Sequence, residues 1–156
     1  MAEEIIRFIV DPDLFPLCHA LRMLGFDALN RGNLPPSQAI EKAIEERRIW
    51  VKSGPEELNL QYGIRYFIVS SGEVPGQLDE LDRQFSLKAV SEPFSRCLKD
   101  NARIREIPKD TVGNRAPEKI LETRDQFYEC PICGRVYWHG SHLKRMSKRL
   151  AEWGWE

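Results

Sequence analysis

No stretch of this 156-residue chain approaches the roughly 20 consecutive apolar residues that a membrane helix needs, so a spanning segment is not expected. Internal repeats and low-complexity tracts are also missing. Ten glycines and ten prolines are too few for a collagen-like or compositionally disordered chain. The start, Met1-Ala2-Glu3-Glu4, is acidic where a secretory signal would be basic, which gives a cytosolic chain as the default. Cysteine is scarce as well, with four in all. In a cytosolic chain four thiols favour a metal site or spare thiols over structural disulfides.

What is present is an ordinary globular composition, 42% hydrophobic and 30% charged. A domain near this length buries roughly 70% of its unfolded surface, so the core can be substantial. The formal net charge of −1 hides a division. Residues 1–90 carry 10 basic against 14 acidic side chains, and residues 91–156 carry 13 against 10. That asymmetry points to two modules, the second of which could meet nucleic acid.

The first 90 residues alternate strand and helix signals. Ile5–Val10 is a short apolar run with the β-branched content of a buried strand. Asp13 is expected to cap a helix with Leu14, Leu17, Leu21 and Leu24 on one face and Gly25 as its stop. Cys18 falls on that core face and reads as a buried thiol. Phe26–Leu29, Ile49–Val51 and Tyr66–Val69 read as further strands. Helices are expected from Pro35-Pro36-Ser37 to about Arg48, weakly over Glu56–Leu60, and over about Pro75–Phe85. Strands separated by helices imply a parallel sheet, hence a small three-layer α/β domain over 1–90. A second module is expected over 91–150, with helical texture at 141–150, and a short Trp-containing tail over 151–156.

Cys130-Pro131-Ile132-Cys133-Gly134 has the spacing of a zinc knuckle, since two thiolates three positions apart around a tight turn can face one ion. One pair supplies half of a tetrahedral site. The matching half is Cys97-Leu98-Lys99-Asp100, with aspartate in the second position, and zinc accepts carboxylate oxygen. His139 or His142 could instead supply the fourth ligand. A redox dithiol, or a ribbon that has lost its zinc and kept its packing, are the duller alternatives. Beyond the knuckle, Lys144, Arg145, Lys148 and Arg149 gather on one helix face, preceded by Arg135, Trp138 and His142. Cations beside flat rings suit RNA phosphates and bases, whereas the plain alternative is a solvated helix face. Trp138 could equally brace the ribbon. Trp153 and Trp155 could dock on the body or bind a protein partner.

Phe8-Ile-Val-Asp11, Leu21-Arg-Met-Leu-Gly-Phe-Asp27, Glu45-Glu-Arg-Arg-Ile49, Ser95-Arg-Cys97-Leu and the block from Phe127 to His142 together resemble the Mut-seven C-terminal family, a PIN-like ribonuclease domain with a C-terminal zinc ribbon. The resemblance implies an acidic pocket holding Mg²⁺ or Mn²⁺ for RNA hydrolysis, with Asp11 and Asp27 as its catalytic carboxylates. Asp11 could also serve a turn, and Asp27 could pair with Arg22 or Arg31. After the third strand the family usually reads Thr-Arg-Asp, and here stands Val51-Lys52-Ser53-Gly54. Ser70 and Ser71 follow the next strand without an acid, and Asn30 and Asn33 stand where acids are common. Lys52, if it enters the pocket, would replace the metal as the partner of Asp11. Three expectations follow: a metal-dependent endoribonuclease, an inactive module binding RNA or a ribonucleoprotein, or a protein-interaction module.

Overall fold

The computed structural model describes residues 5–54 and 63–155, and the helix expected at Glu56–Leu60 lies outside them. The chain divides into two compact units, 1–101 and 102–156.

The first unit holds a four-stranded, wholly parallel sheet built from β1 (Arg7–Val10), β2 (Asp27–Asn30), β3 (Arg48–Lys52) and β4 (Tyr66–Ile68), in the order β2-β1-β3-β4. Parallel neighbours need crossovers: α1 (Phe15–Met23) lies between β1 and β2, and α2 (Pro36–Glu45) between β2 and β3. α3 (Val74–Phe85) follows β4. Each of the three helices carries a proline in its first turn, where the missing N–H costs nothing and the fixed φ is already helical.

The two sheet faces follow from the strand period of two. Ile9 and Trp50 turn to one face and pack with Ala39 and Ala43 of α2. Phe8 turns to the other, edge-on to Phe26 and Phe85, and Phe85 in turn meets Phe67. α1 packs against α3, so the unit has three layers. Leu14, Leu17, Leu21 and Leu24 are all buried, as their spacing requires, and so is Cys18, whose thiol is pushed up by burial.

The start and end of α1 behave differently. Asp13 does not cap it. Pro12–Leu14 form a 3-10 turn, the helix begins at Phe15 with no side-chain cap, and Asp13 accepts a hydrogen bond from the Ser53 hydroxyl instead. The proline after Asp11 tightens the entry and takes Asp13 out of capping register. The expected stop at Gly25 is there, at φ +95°. Its N–H bonds the Arg22 carbonyl and the Phe26 N–H bonds the Leu21 carbonyl, the paired bonds of a Schellman turn. Residues 91–101 return to this unit: the Glu92 and Phe94 N–H groups donate to Leu24 and Met23 carbonyls, and Arg96 Nε donates to Gly25 O.

The second unit is a three-stranded antiparallel sheet, β5 (Arg105–Ile107), β6 (Phe127–Glu129) and β7 (Val136–Tyr137), with a short α4 (Glu118–Thr123) and the longer α5 (Ser141–Glu152). Its core is small: Val112, Ala116, Phe127 and Val136, with Ile107, Ile120, Leu121 and Trp138 packed around them. α5 ends like α1. Gly154 takes φ +81°, its N–H reaches the Ala151 carbonyl, and the Trp155 N–H reaches the Leu150 carbonyl.

Candidate functional site

In the order β2-β1-β3-β4 the chain winds outward from β1 in both directions, so the strand order switches between β1 and β3. Ligands of open parallel sheets gather there, beyond the carboxyl ends of the strands. Asp11 follows β1 and Lys52 ends β3, so both stand at that place.

Asp11 is buried, and both its oxygens are engaged. Lys52 Nζ donates to Oδ2 at 2.9 Å, and Trp50 Nε1 donates to Oδ1 at 2.7 Å. Arg31 Nε lies 3.7 Å from Oδ1. Lys52 is also buried and its ammonium sits 5.1 Å from the centre of the Trp50 ring, within cation–π range. The carboxylate is thus compensated by charge and by an indole donor. Next to it, at the end of β4, Ser70 and Ser71 donate to Glu80 of α3, which holds that carboxyl below its usual range against the effect of burial.

Asp27 does not join Asp11. It opens β2 and pairs in register with Arg7 at the start of β1, whereas Asp11 lies beyond the other end. Four residues of strand separate the two levels, about 13 Å. Asp27 Oδ1 accepts from buried Arg48 at 2.7 Å and from Asn101 Nδ2 at 2.6 Å, and Arg7 lies 3.7 Å from Oδ2. Burial raises the pKa of this carboxyl, but the Arg48 and Asn101 hydrogen bonds and the charges of Arg48 and Arg96 outweigh it and hold the carboxyl below its usual range. Neither Arg22 nor Arg31 is among these partners. The two carboxylates are too far apart to share one ion.

The thiols do converge. The ligand atoms of Cys97, Asp100, Cys130 and Cys133 all lie within 4.8 Å of one another, and the group could hold a metal ion. The two C-x2 loops have the same local form. The Asn101 N–H bonds the Cys97 carbonyl at 2.8 Å, and the Gly134 N–H bonds the Cys130 carbonyl at 2.9 Å. The closing residue of each is left-handed, Asn101 at φ +67° and Gly134 at φ +74°. Asparagine is among the few side chains that accept that region readily. Asp100 therefore stands in its loop where Cys133 stands in the other. Three sulfurs and one carboxylate oxygen suit a tetrahedral ion. His139 and His142, the other candidate ligands, are exposed and outside this group. His139 instead lies edge-on to Tyr128.

Arg135, His142, Lys144, Arg145, Lys148 and Arg149 are all exposed, and the last four line α5. Trp138 is different. It is half-buried with its ring 6.4 Å from Phe127 and so braces the small core, rather than standing free to stack on a base. Trp155 is buried and Trp153 half-buried, because the Gly154 turn folds the tail back at the helix end. Of the two, Trp155 is therefore docked within the fold, the first of the two roles its sequence position allowed. Sequence reasoning overlooked Asn101 and Arg115. The Arg115 guanidinium reaches Glu129 and the carbonyl of Gly134, fastening the second knuckle to β6. The match between Asn101 after Cys-x2-Asp and Gly134 after Cys-x2-Cys was the available signal.

Among the described residues no helix is long and apolar enough to cross a membrane. No curated protein and no solved structure matches the chain. The family model described as the Mut7-C RNAse domain matches residues 6–150, and the parallel sheet with its flanking helices agrees with it. By that match over nearly its whole length, the chain belongs to the Mut7-C RNAse domain family.

Proposed function

We propose that this chain is an RNA-binding member of its family in which Lys52 takes the place of a divalent ion at Asp11. One observation carries this reading: Lys52 Nζ lies 2.9 Å from Asp11 Oδ2, while the Trp50 indole holds the other oxygen. Mg²⁺ or Mn²⁺ would need those oxygens, and hydrolysis through two metals needs several convergent carboxylates. A further charged neighbour of Asp11 is Arg31, a cation. An ammonium bonded to the carboxylate satisfies its charge but cannot activate water as a metal does.

RNA would be held by the exposed cations of α5, with Arg135 and His142 beside them in sequence. Lys144 and Lys148, and likewise Arg145 and Arg149, are spaced one turn apart and can follow a phosphate backbone, structured or ribonucleoprotein-borne. The Cys97, Asp100, Cys130 and Cys133 group would take zinc, the ion that a zinc ribbon holds. Zinc there supplies cross-linking of two loops and no chemistry on RNA. Thiolate ligation fits a reducing compartment such as the cytosol.

The test is fluorescence anisotropy with labelled structured and single-stranded RNAs, followed by incubation with Mn²⁺. Binding without cleavage is expected. The double charge reversal Lys144→Glu/Arg145→Glu should weaken binding and reduce the slope of log K against log salt by roughly two. Cleavage that needs Mn²⁺ and disappears in Asp11→Asn would restore the nuclease reading. Unchanged affinity in the double reversal would remove α5 from the interface.

A further inference from the structure

Asp27 is not needed at the Asp11 site, yet it is embedded in a network that ends on a metal loop. We propose that Arg22, Asp27 and Asn101 are positioning residues that preset the Cys97–Asp100 loop for its ion, an inference that rests on the metal reading of the cysteine–aspartate group.

The loop is held from three sides, all within the first unit. Arg22 sits in the last turn of α1, one residue before its end. Its Nε donates to the Ala28 carbonyl of β2 at 2.8 Å, and its Nη1 donates to the carbonyls of Leu98 and Lys99 at 3.0 and 3.2 Å. These carbonyls belong to the two residues between Cys97 and Asp100. Because N–H and C=O of a trans peptide point in opposite directions, fixing both carbonyls on one guanidinium fixes the face that the intervening peptides turn away from α1.

Asn101 closes the loop and ties it to the sheet. Its Oδ1 accepts the Ala28 N–H at 3.0 Å, and its Nδ2 donates to Asp27 Oδ1 at 2.6 Å. Its carbonyl accepts from Arg96 Nη1 at 2.7 Å, and Arg96 in turn donates to Gly25. The amide therefore satisfies a strand donor and a half-buried carboxylate at once. Asp27 is itself fixed by Arg48. A loop with its backbone already in ligating form loses less entropy on binding metal, and its affinity rises accordingly. Partners beyond the ligands commonly contribute 10- to 100-fold to metal affinity. This network uses Asp27, a side chain that a catalytic reading would place at a divalent ion, and it gives that carboxylate a role at its own end of the sheet.

The experiment uses full-length protein loaded with Co²⁺, whose visible absorption reports coordination geometry, and competition of Zn²⁺ against a chromogenic chelator. Asn101→Gly keeps the left-handed backbone and removes the amide. Arg22→Lys keeps the charge and can hold one carbonyl at most. Both should lower zinc affinity roughly tenfold or more and weaken the tetrahedral cobalt bands. Val69→Ala, buried at the end of β4 away from the loop, is the control for stability loss and should stay within about twofold of wild type. Should Asn101→Gly fail to fold, Arg22→Lys carries the comparison. Wild-type affinity and spectra in the folded variants would overturn the positioning role alone, as would an equal loss in Val69→Ala. A wild-type chain that binds neither ion would overturn the metal reading together with it.

Discussion

The fate of Asp11 shows how one residue redirects a site. A carboxylate beyond a parallel strand is placed to hold a cation, and here the cation is covalently part of the chain. Removing one partner of a buried pair leaves an uncompensated charge and typically costs about 3–5 kcal/mol. Lys52→Met should therefore destabilise the fold by about that amount, while Asp11→Leu/Lys52→Met should recover part of the loss, because neither charge of the pair remains buried although the Trp50 indole loses its acceptor. Urea denaturation of the single and double variants measures this. Asp27 makes a second residue-scale prediction. Its folded pKa lies below the unfolded value of about 3.9, so its stabilisation is complete above that pH and disappears as pH falls through the folded pKa. The stability gap between wild type and Asp27→Asn should accordingly be widest above about pH 5 and should close on acidification. A gap independent of pH would mean that the Asp27 charge is not what Arg48 and Asn101 stabilise.

At the scale of elements, the end of α1 matters more than its start. The start tolerates a 3-10 turn because prolines at 12 and 16 need no N–H partner. The end does not have that latitude. Gly25 is left-handed, and a β-carbon there would stand 2.2 Å from the Glu92 carbonyl oxygen, a backbone atom that cannot swing aside. Gly25→Ala should combine left-handed strain with overpacking and cost at least about 2 kcal/mol. A thermal melt detects that loss. A substitution that proved neutral would mean that residues 91–96 can move off the α1 end. The same contacts explain the extent of the first unit. Composition changes near residue 90, but the backbone bonds from Glu92 and Phe94 and the Arg96 side chain keep the chain on α1 through Asn101. The second unit was the harder one to read. β5 and α4 are three and six residues long, too short for a period of 2 or 3.6 to register in a sequence full of charge.

For the whole molecule, the two units differ in what holds them. The first has two buried central strands, β1 and β3, with Phe8, Ile9 and Trp50 at their middle and the leucines of α1 packed beside them. The second is only 55 residues long, with short strands around one small cluster of Val112, Ala116, Phe127 and Val136, the situation in which small domains commonly depend on a metal or a cross-link. On the proposed metal reading, chelation should strip hydrogen-exchange protection from β5, β6 and β7 while β1 and β3 keep theirs. Equal loss in both units, or none in either, would contradict that division.

The sequence by itself determined the parallel α/β layout, the leucine face of α1, its glycine stop and the two C-x2 loops. Each of these depends on local spacing, and local spacing is what side-chain period and turn chemistry encode. It also showed that acids were missing after the third strand. Only the tertiary structure decided where the remaining carboxylates go. Asp11 and Asp27 are sixteen positions apart along a single chain, and nothing local to either reveals that one lies beyond the end of β1 and the other at the opening of β2. Their partners come from distant segments, Lys52 and Trp50 for the first, Arg48 and Asn101 for the second. A charge is assigned its role by the groups that solvate it after folding, and those groups meet only when the sheet registers its strands.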